Sequence, residues 1–350
     1  MRPRAALSLA FLTTLLLAGC ATATTSPGAV PVASPPASTS TPTPSPSAEV
    51  VLTPTVPFGG DCERVLTAAD LDGFFGEQWA TEETKTEEWG IGEYLDVAPI
   101  ETVGGLQCRW FVDDAAGDSV TGVSVTIAPE ESLPIAYTGE FREAECGAES
   151  DAKLCRMARI EGDLWVLAQV SDLMTQPAPD LLPDLLDAVS AHLPTPAQSV
   201  SDAGWWSLPS CEDFGAAMAL QELIGEGYNT GLWEGEESFQ MAALREAGVS
   251  VLCEWSTGDG RLAPDGGYHV PSITIVNGGH WRWQEFADFD GAESVTVEGA
   301  DDALVVPGND GATVGQVLVT DGVNVVEVSG GDREFLLDLA GRAIGALGTA

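Results

Sequence analysis

The sequence predicts an α+β protein: two tandem copies of a helix / antiparallel sheet / helix domain. Three observations carry this. An offset of 149 residues aligns Cys62-Glu63 with Cys211-Glu212, Ala68 with Ala217, Leu71 with Leu220, and Gly76-Glu77 with Gly225-Glu226. Each copy then carries a C-x-W tripeptide, Cys108-Arg109-Trp110 and Cys253-Glu254-Trp255, ahead of further β-branched runs. Each copy closes on leucines at helical spacing.

The elements follow in order. After its first cysteine each copy reads as a helix that stops at Gly76 or Gly225, where glycine suits a C-terminal cap. A polar, acidic loop comes next. The C-x-W strand leads into Val123–Ile127 in copy one and Ile273–Val276 in copy two, with turn signals at Asp113-Asp114…Gly117 and Gly258-Asp259-Gly260 between them. Farther on, Trp165–Val170 aligns with Val323–Val328 as a later strand. In the closing helix Leu182, Asp184, Leu185 and Leu193 match Leu336, Asp338, Leu339 and Leu347. Pro183 lies early, where a first-turn proline is tolerated. The reading therefore divides the chain into a signal peptide (1–19), a linker (20–57), repeat one (58–198) and repeat two (199–350).

The N-terminus reads as an address. Arg2 and Arg4 precede an apolar run from Ala5 to Ala18, about 21 Å as a helix and too short for a roughly 30 Å hydrocarbon core. The run ends in Leu17-Ala18-Gly19-Cys20, which resembles the lipobox of bacterial lipoproteins. That resemblance implies cleavage before Cys20, lipidation of its sulfur and a stable anchor on the outer face of the cytoplasmic membrane. Residues 21–57 are rich in Pro, Ser and Thr and read as a disordered, partly polyproline tether, with a reach between about 35 Å coiled and about 115 Å extended.

Composition excludes partners. With 14 Lys+Arg against 54 Asp+Glu and a formal charge of −40, the chain offers no cationic face for nucleic acid. The 44% hydrophobic content and 10 Trp exclude a wholly disordered chain.

Six cysteines follow Cys20, which allows 15 pairings. The repeat selects one: Cys62–Cys108 and Cys211–Cys253 each close within a copy, leaving Cys146–Cys155. Such bonds persist outside the cytoplasm. The sequence has no C-x-x-C and only three His, so no metal site is expected. In C-x-W the cysteine and tryptophan share one face of a strand, placing Trp110 and Trp255 in the core beside their disulfides. A first Cys, a helix, C-x-W in an antiparallel sheet and a closing helix also resemble a group of actinobacterial cell-surface lipoproteins. That resemblance implies an extracytoplasmic binding or sensing module and brings no catalytic residues with it.

Chemistry is sparse. No G-x-S-x-G, H-E-x-x-H or phosphate loop occurs, and neither His192 nor His269 has an acid partner near it in sequence. The acidic loops are the first candidate: Glu82, Glu83, Glu87, Glu88 and Trp89 in copy one, Trp233, Glu234, Glu236 and Glu237 in copy two. Together, Trp and Glu can hold a cationic group or Ca²⁺; the alternative is a solvated loop. Asp288-Phe289-Asp290-Gly291 mimics only part of a calcium loop. Trp281 and Trp283 could form a sugar-stacking shelf, or could pack into a core or junction, as Trp205-Trp206 could.

The expectation is a lipid-anchored extracytoplasmic binding or structural protein, not an enzyme, with no cofactor. Its partners would be the membrane, through the anchor, and a cell-wall component or a membrane protein. The alternatives are a glycan-acting cell-wall enzyme and an accessory or sensor subunit of a membrane complex.

Overall fold

A computed structural model describes residues 53–348 apart from 77–78, 89–97, 114–119, 150–151, 173–178, 194–197, 232–236, 257–269 and 309–313. The signal segment, Cys20 and most of the linker lie outside the described residues. Glu49–Ala350 form one compact unit.

Copy one opens with a short turn at Cys62–Arg64 and helix α1 (Ala68–Phe75). Thr67 caps α1 through a reciprocal box with Asp70, and Gly76 ends it at a φ of 70°. Strand β1 (Trp79–Thr81), helix α2 (Glu82–Glu88) and helix α3 (Pro99–Thr102) follow. Then come β2 (Leu106–Asp113), β3 (Val120–Pro129), α4 (Ile135–Thr138), β4 (Glu145–Glu149), β5 (Ala152–Glu161), β6 (Leu164–Asp172) and α5 (Leu181–Ser190). The sheet order is β1-β2-β3-β6-β5-β4, antiparallel throughout.

Copy two comprises α6 (Cys211–Ala217), α7 (Gln221–Ile224), β7 (Asn229–Thr230), α8 (Phe239–Glu246), β8 (Ser250–Ser256) and β9 (Ser272–Val276). It continues with α9 (Trp283–Ala287), β10 (Glu293–Val295), β11 (Asp302–Pro307), β12 (Val314–Thr320), β13 (Val325–Ser329) and α10 (Arg333–Leu347). Read from β7, its sheet runs β7-β8-β9-β13-β12-β11-β10. That is the order of copy one, strand for strand, with β10 added at the far edge. Two antiparallel sheets of six and seven strands with the same connectivity make the protein α+β and two-domained.

The register corrects one alignment. Cys108 faces Val125, which faces Ala168. Cys253 faces Ile273, which faces Val328. Val328 therefore corresponds to Ala168, two residues from the Val170 that the sequence alignment chose. A slip of two keeps every side chain on its face, so alternation alone cannot detect it.

Two other expectations change. The linker does not run to residue 57: Pro54 is buried, and Thr55 exchanges backbone hydrogen bonds of 2.8 and 3.1 Å with Gln198. The acidic loops contain helices. In α2 the Thr84 N–H donates to Thr81 Oγ1, and Glu82 and Glu83 sit in the first turn, where the helix dipole favours acids.

Each sheet buries one face against its own helices. In copy one Leu182, Leu185, Leu186 and Val189 of α5 cover Val123, Val125, Ile127, Val166 and Ala168. In copy two Leu336, Leu339, Ala343 and Leu347 of α10 cover Ile273, Ile275, Val317 and Val326. The three disulfides join Cys62 to Cys108, Cys146 to Cys155 and Cys211 to Cys253, the pairing the repeat selects. Trp110 and Trp255 are buried in these cores. A Cβ on Gly215 would meet Trp255 Nε1 at 2.9 Å, so the indole needs glycine in α6.

The second face of the copy-one sheet turns toward copy two; that of the copy-two sheet is shared between copy one and its own α9, where Phe286 packs on Leu304, Val306 and Leu318. Helix α8, from copy two, lays Ala243 and Leu244 on Ala158, Trp165 and Leu167 of copy one. Phe239 reaches Tyr137 and Phe141 with ring centroids at 5.1 and 4.8 Å. Val200 N–H donates to Thr102 O at 2.9 Å, and Trp281 Nε1 donates to Thr102 Oγ1 at 3.2 Å. Trp206 is tied by its backbone to the fully buried Asn277. Trp205 and Trp281 are therefore part of the junction, while Trp206 packs on the core of copy two.

Candidate functional site: a cavity between the repeats

Beside α8 the two outward faces do not close, and a cavity of about 530 Å³ remains. The strand pleat explains its lining. In β2, Cys108 and Trp110 point into the core, so Gln107 and Arg109 point out. On β3 the outward residues are Ser124 and Thr126, on β5 Leu154 and Arg156, and on β6 Gln169 and Ser171. Copy two supplies Gln240, Met241 and Leu244 from α8, Leu252 from β8, Thr274 from β9 and Glu327 from β13. By the register, Thr126 and Thr274 occupy equivalent positions, each opposite the residue before its strand's half-cystine. The cavity thus carries the duplication into its walls.

Its polar groups form a partly completed network. Gln169 Oε1 accepts from Ser124 Oγ at 3.4 Å and from Gln240 Nε2, the second bond crossing from one repeat to the other. Gln316 Nε2 donates to the buried Glu327 at 2.8 Å. The Arg156 guanidinium lies 5.4 Å from the Phe141 ring centroid. Thr126 is 1% exposed, and its Oγ1 has no hydrogen-bond partner. A buried hydroxyl without a partner costs about 1–3 kcal/mol, a cost that a polar ligand atom beside it would offset.

The residues singled out from sequence fall in different places. Glu82 pairs at 3.1 Å with Arg109, which lines the cavity. Both side chains are about half exposed, so that pair contributes under about 1 kcal/mol. Glu83 is exposed on α2. Glu87 and Glu88 belong to α2, but their side chains, like Trp89, Trp233 and Glu234, lie outside the described residues. Trp281 and Trp283 form no open shelf: both are half-buried, Trp281 at the junction and Trp283 against the Phe286 cluster under the second sheet. Asp288 accepts from Gln284 Nε2 at 2.9 Å. Among the described residues no three of His, Cys, Asp and Glu gather in a way that could hold a metal ion. His192 does have an acid beside it, because the fold brings Asp70 of α1 within 3.8 Å. That pair lies apart from the cavity.

Sequence reasoning missed Thr126, Arg156, Gln169, Gln240 and Glu327. A signal was present. Ser124 and Thr126 alternate with valine and isoleucine in β3, and Glu327 interrupts a run of valines in β13. Polar residues on the second face of an otherwise apolar strand ask what that face meets.

No family matches the chain, and no curated protein and no solved structure resembles it.

Proposed function

We propose that this is an extracytoplasmic binding protein, tethered to the membrane through a lipid on Cys20, whose ligand site is the cavity between the repeats. The observation that carries the reading is the buried, unpartnered Thr126 hydroxyl in a cavity walled by both domains. Binding sites favour domain junctions, and a few placed polar groups among apolar ones suit a small molecule. Three disulfides point to an oxidising compartment. Among the described residues no helix is long and apolar enough to cross a membrane. The lipobox at Cys20 is the proposed attachment. Among the described residues the cavity's charged groups are two guanidiniums and one buried carboxylate set among neutral ones, which suits binding.

Two measurements test this. Acyl labelling in the producing cells should be present in the wild type and absent in Cys20→Ala. Native mass spectrometry of the chain extracted from those cells should show a retained small molecule. Thr274→Trp, which fills the cavity, should lose that molecule while keeping its three disulfides and circular dichroism. A wild-type chain with nothing bound, or a molecule kept by a correctly folded Thr274→Trp, would overturn the reading.

A further inference from the structure

Resting on the cavity as the binding site, we propose that its ligand is a neutral polyhydroxylated molecule, a saccharide of one or two rings. Charge decides first. A chain with a formal charge of −40 opposes the approach of an anion. Inside, a cationic ligand would meet Arg109 and Arg156 against Glu327, the one carboxylate among the described lining residues. Neither sign is served, and Arg109 is already paired with Glu82 at the rim.

Hydrogen bonding decides next. The polar groups that face inward from both repeats are mostly hydroxyls and carboxamides, each able to donate and accept. A sugar hydroxyl has the same double capacity. Gln169 spends its Oε1 on Ser124 and Gln240, and its amide N–H₂ has no partner among the described residues. Thr126 Oγ1 has none either. A purely apolar ligand would fill the volume and leave both unpaired, which is the costly arrangement. The apolar part of the lining, Phe111, Leu154, Met241 and Leu252 among it, suits the C–H faces of a pyranose ring. A volume of about 530 Å³ is within the range of small-molecule sites.

The test is isothermal titration of the full lipidated chain in detergent, disulfides intact. The probes are glucose, maltose and cellobiose, with gluconate, glucosamine and octanoate as charged and apolar comparators. At least one neutral sugar should bind saturably, more tightly than every comparator. Thr126→Val and Gln169→Leu should each weaken that sugar about tenfold, as expected when a buried hydrogen bond to ligand is lost. Three results would overturn the assignment: no saturable binding of any neutral sugar, tighter binding of a comparator, or sugar binding untouched by both variants. The native mass-spectrometric result separates this failure from that of the wider reading. A retained molecule of another class would leave the cavity as a binding site; an empty wild-type chain would remove both.

Discussion

Asn277 is fully buried and holds three backbone groups at once. Its Oδ1 accepts from Trp206 N–H at 3.0 Å, and its Nδ2 donates to the carbonyls of Trp206 and Gly248 at 2.9 and 2.8 Å. Removing it takes the hydrogen-bond partner from all three. Asn277→Ala should therefore cost about 3 kcal/mol in urea unfolding. Asp70 acts at the surface. The Thr67 hydroxyl first, its N–H next and His192 last lower the Asp70 carboxyl pKa, with burial opposing them. A depressed carboxyl stabilises fully above its unfolded value, about pH 4, and loses that contribution as pH falls through the folded value. Thr67→Val should lose about 1 kcal/mol at neutral pH. Between about pH 5 and pH 2 it should then lose less further stability than the wild type, measured by urea titration at each pH. At this scale the buried C-x-W tryptophans and four of the half-cystines were legible because the repeat marks them twice, and Cys146 and Cys155 because that pairing leaves them over. Asn277 was not: one asparagine after a strand gives no sign that the fold will bring Trp206 to it.

At the scale of elements the closing helices were the easiest to read, since α5 and α10 place leucines at helical spacing on one face. The helix that matters most for the site was hidden. Helix α8 has eight residues and Ser238 as its cap, which accepts from Met241 N–H at 3.2 Å. A segment that short is marginal alone and is held by packing on the other repeat, which sequence patterns do not report. Leu244 shows the dependence: it belongs to copy two, is 3% exposed, and is buried on the sheet of copy one. Leu244→Ala should cost about 2–4 kcal/mol. It should also split a single unfolding transition into two in calorimetry, because the lost contact is one that couples the domains. An unchanged, single transition would show that α8 is not the coupling element.

Across the whole molecule, one connectivity is used twice and then turned inward. Topology was legible as a repeat, but the meeting of the two outer faces was not. The polar residues that line the cavity alternate with core residues, and a sequence shows only that a second face exists, not what covers it. The disulfides brace the parts unequally. Removing Cys211–Cys253, which spans 42 residues, should cost about 4 kcal/mol by chain entropy, and removing Cys146–Cys155, which spans 9, about 3 kcal/mol or less. Paired Cys→Ala variants compared by denaturant unfolding would reverse that order if native packing, not loop length, sets the contribution.

The most direct test of a shared binding site is a crystal structure of the chain as isolated from its producing cells. It should show a small molecule between the sheets, touching Thr126 and Gln169 on one wall and Thr274 and helix α8 on the other. A cavity holding ordered water alone, or a molecule bound to one repeat and not the other, would contradict it.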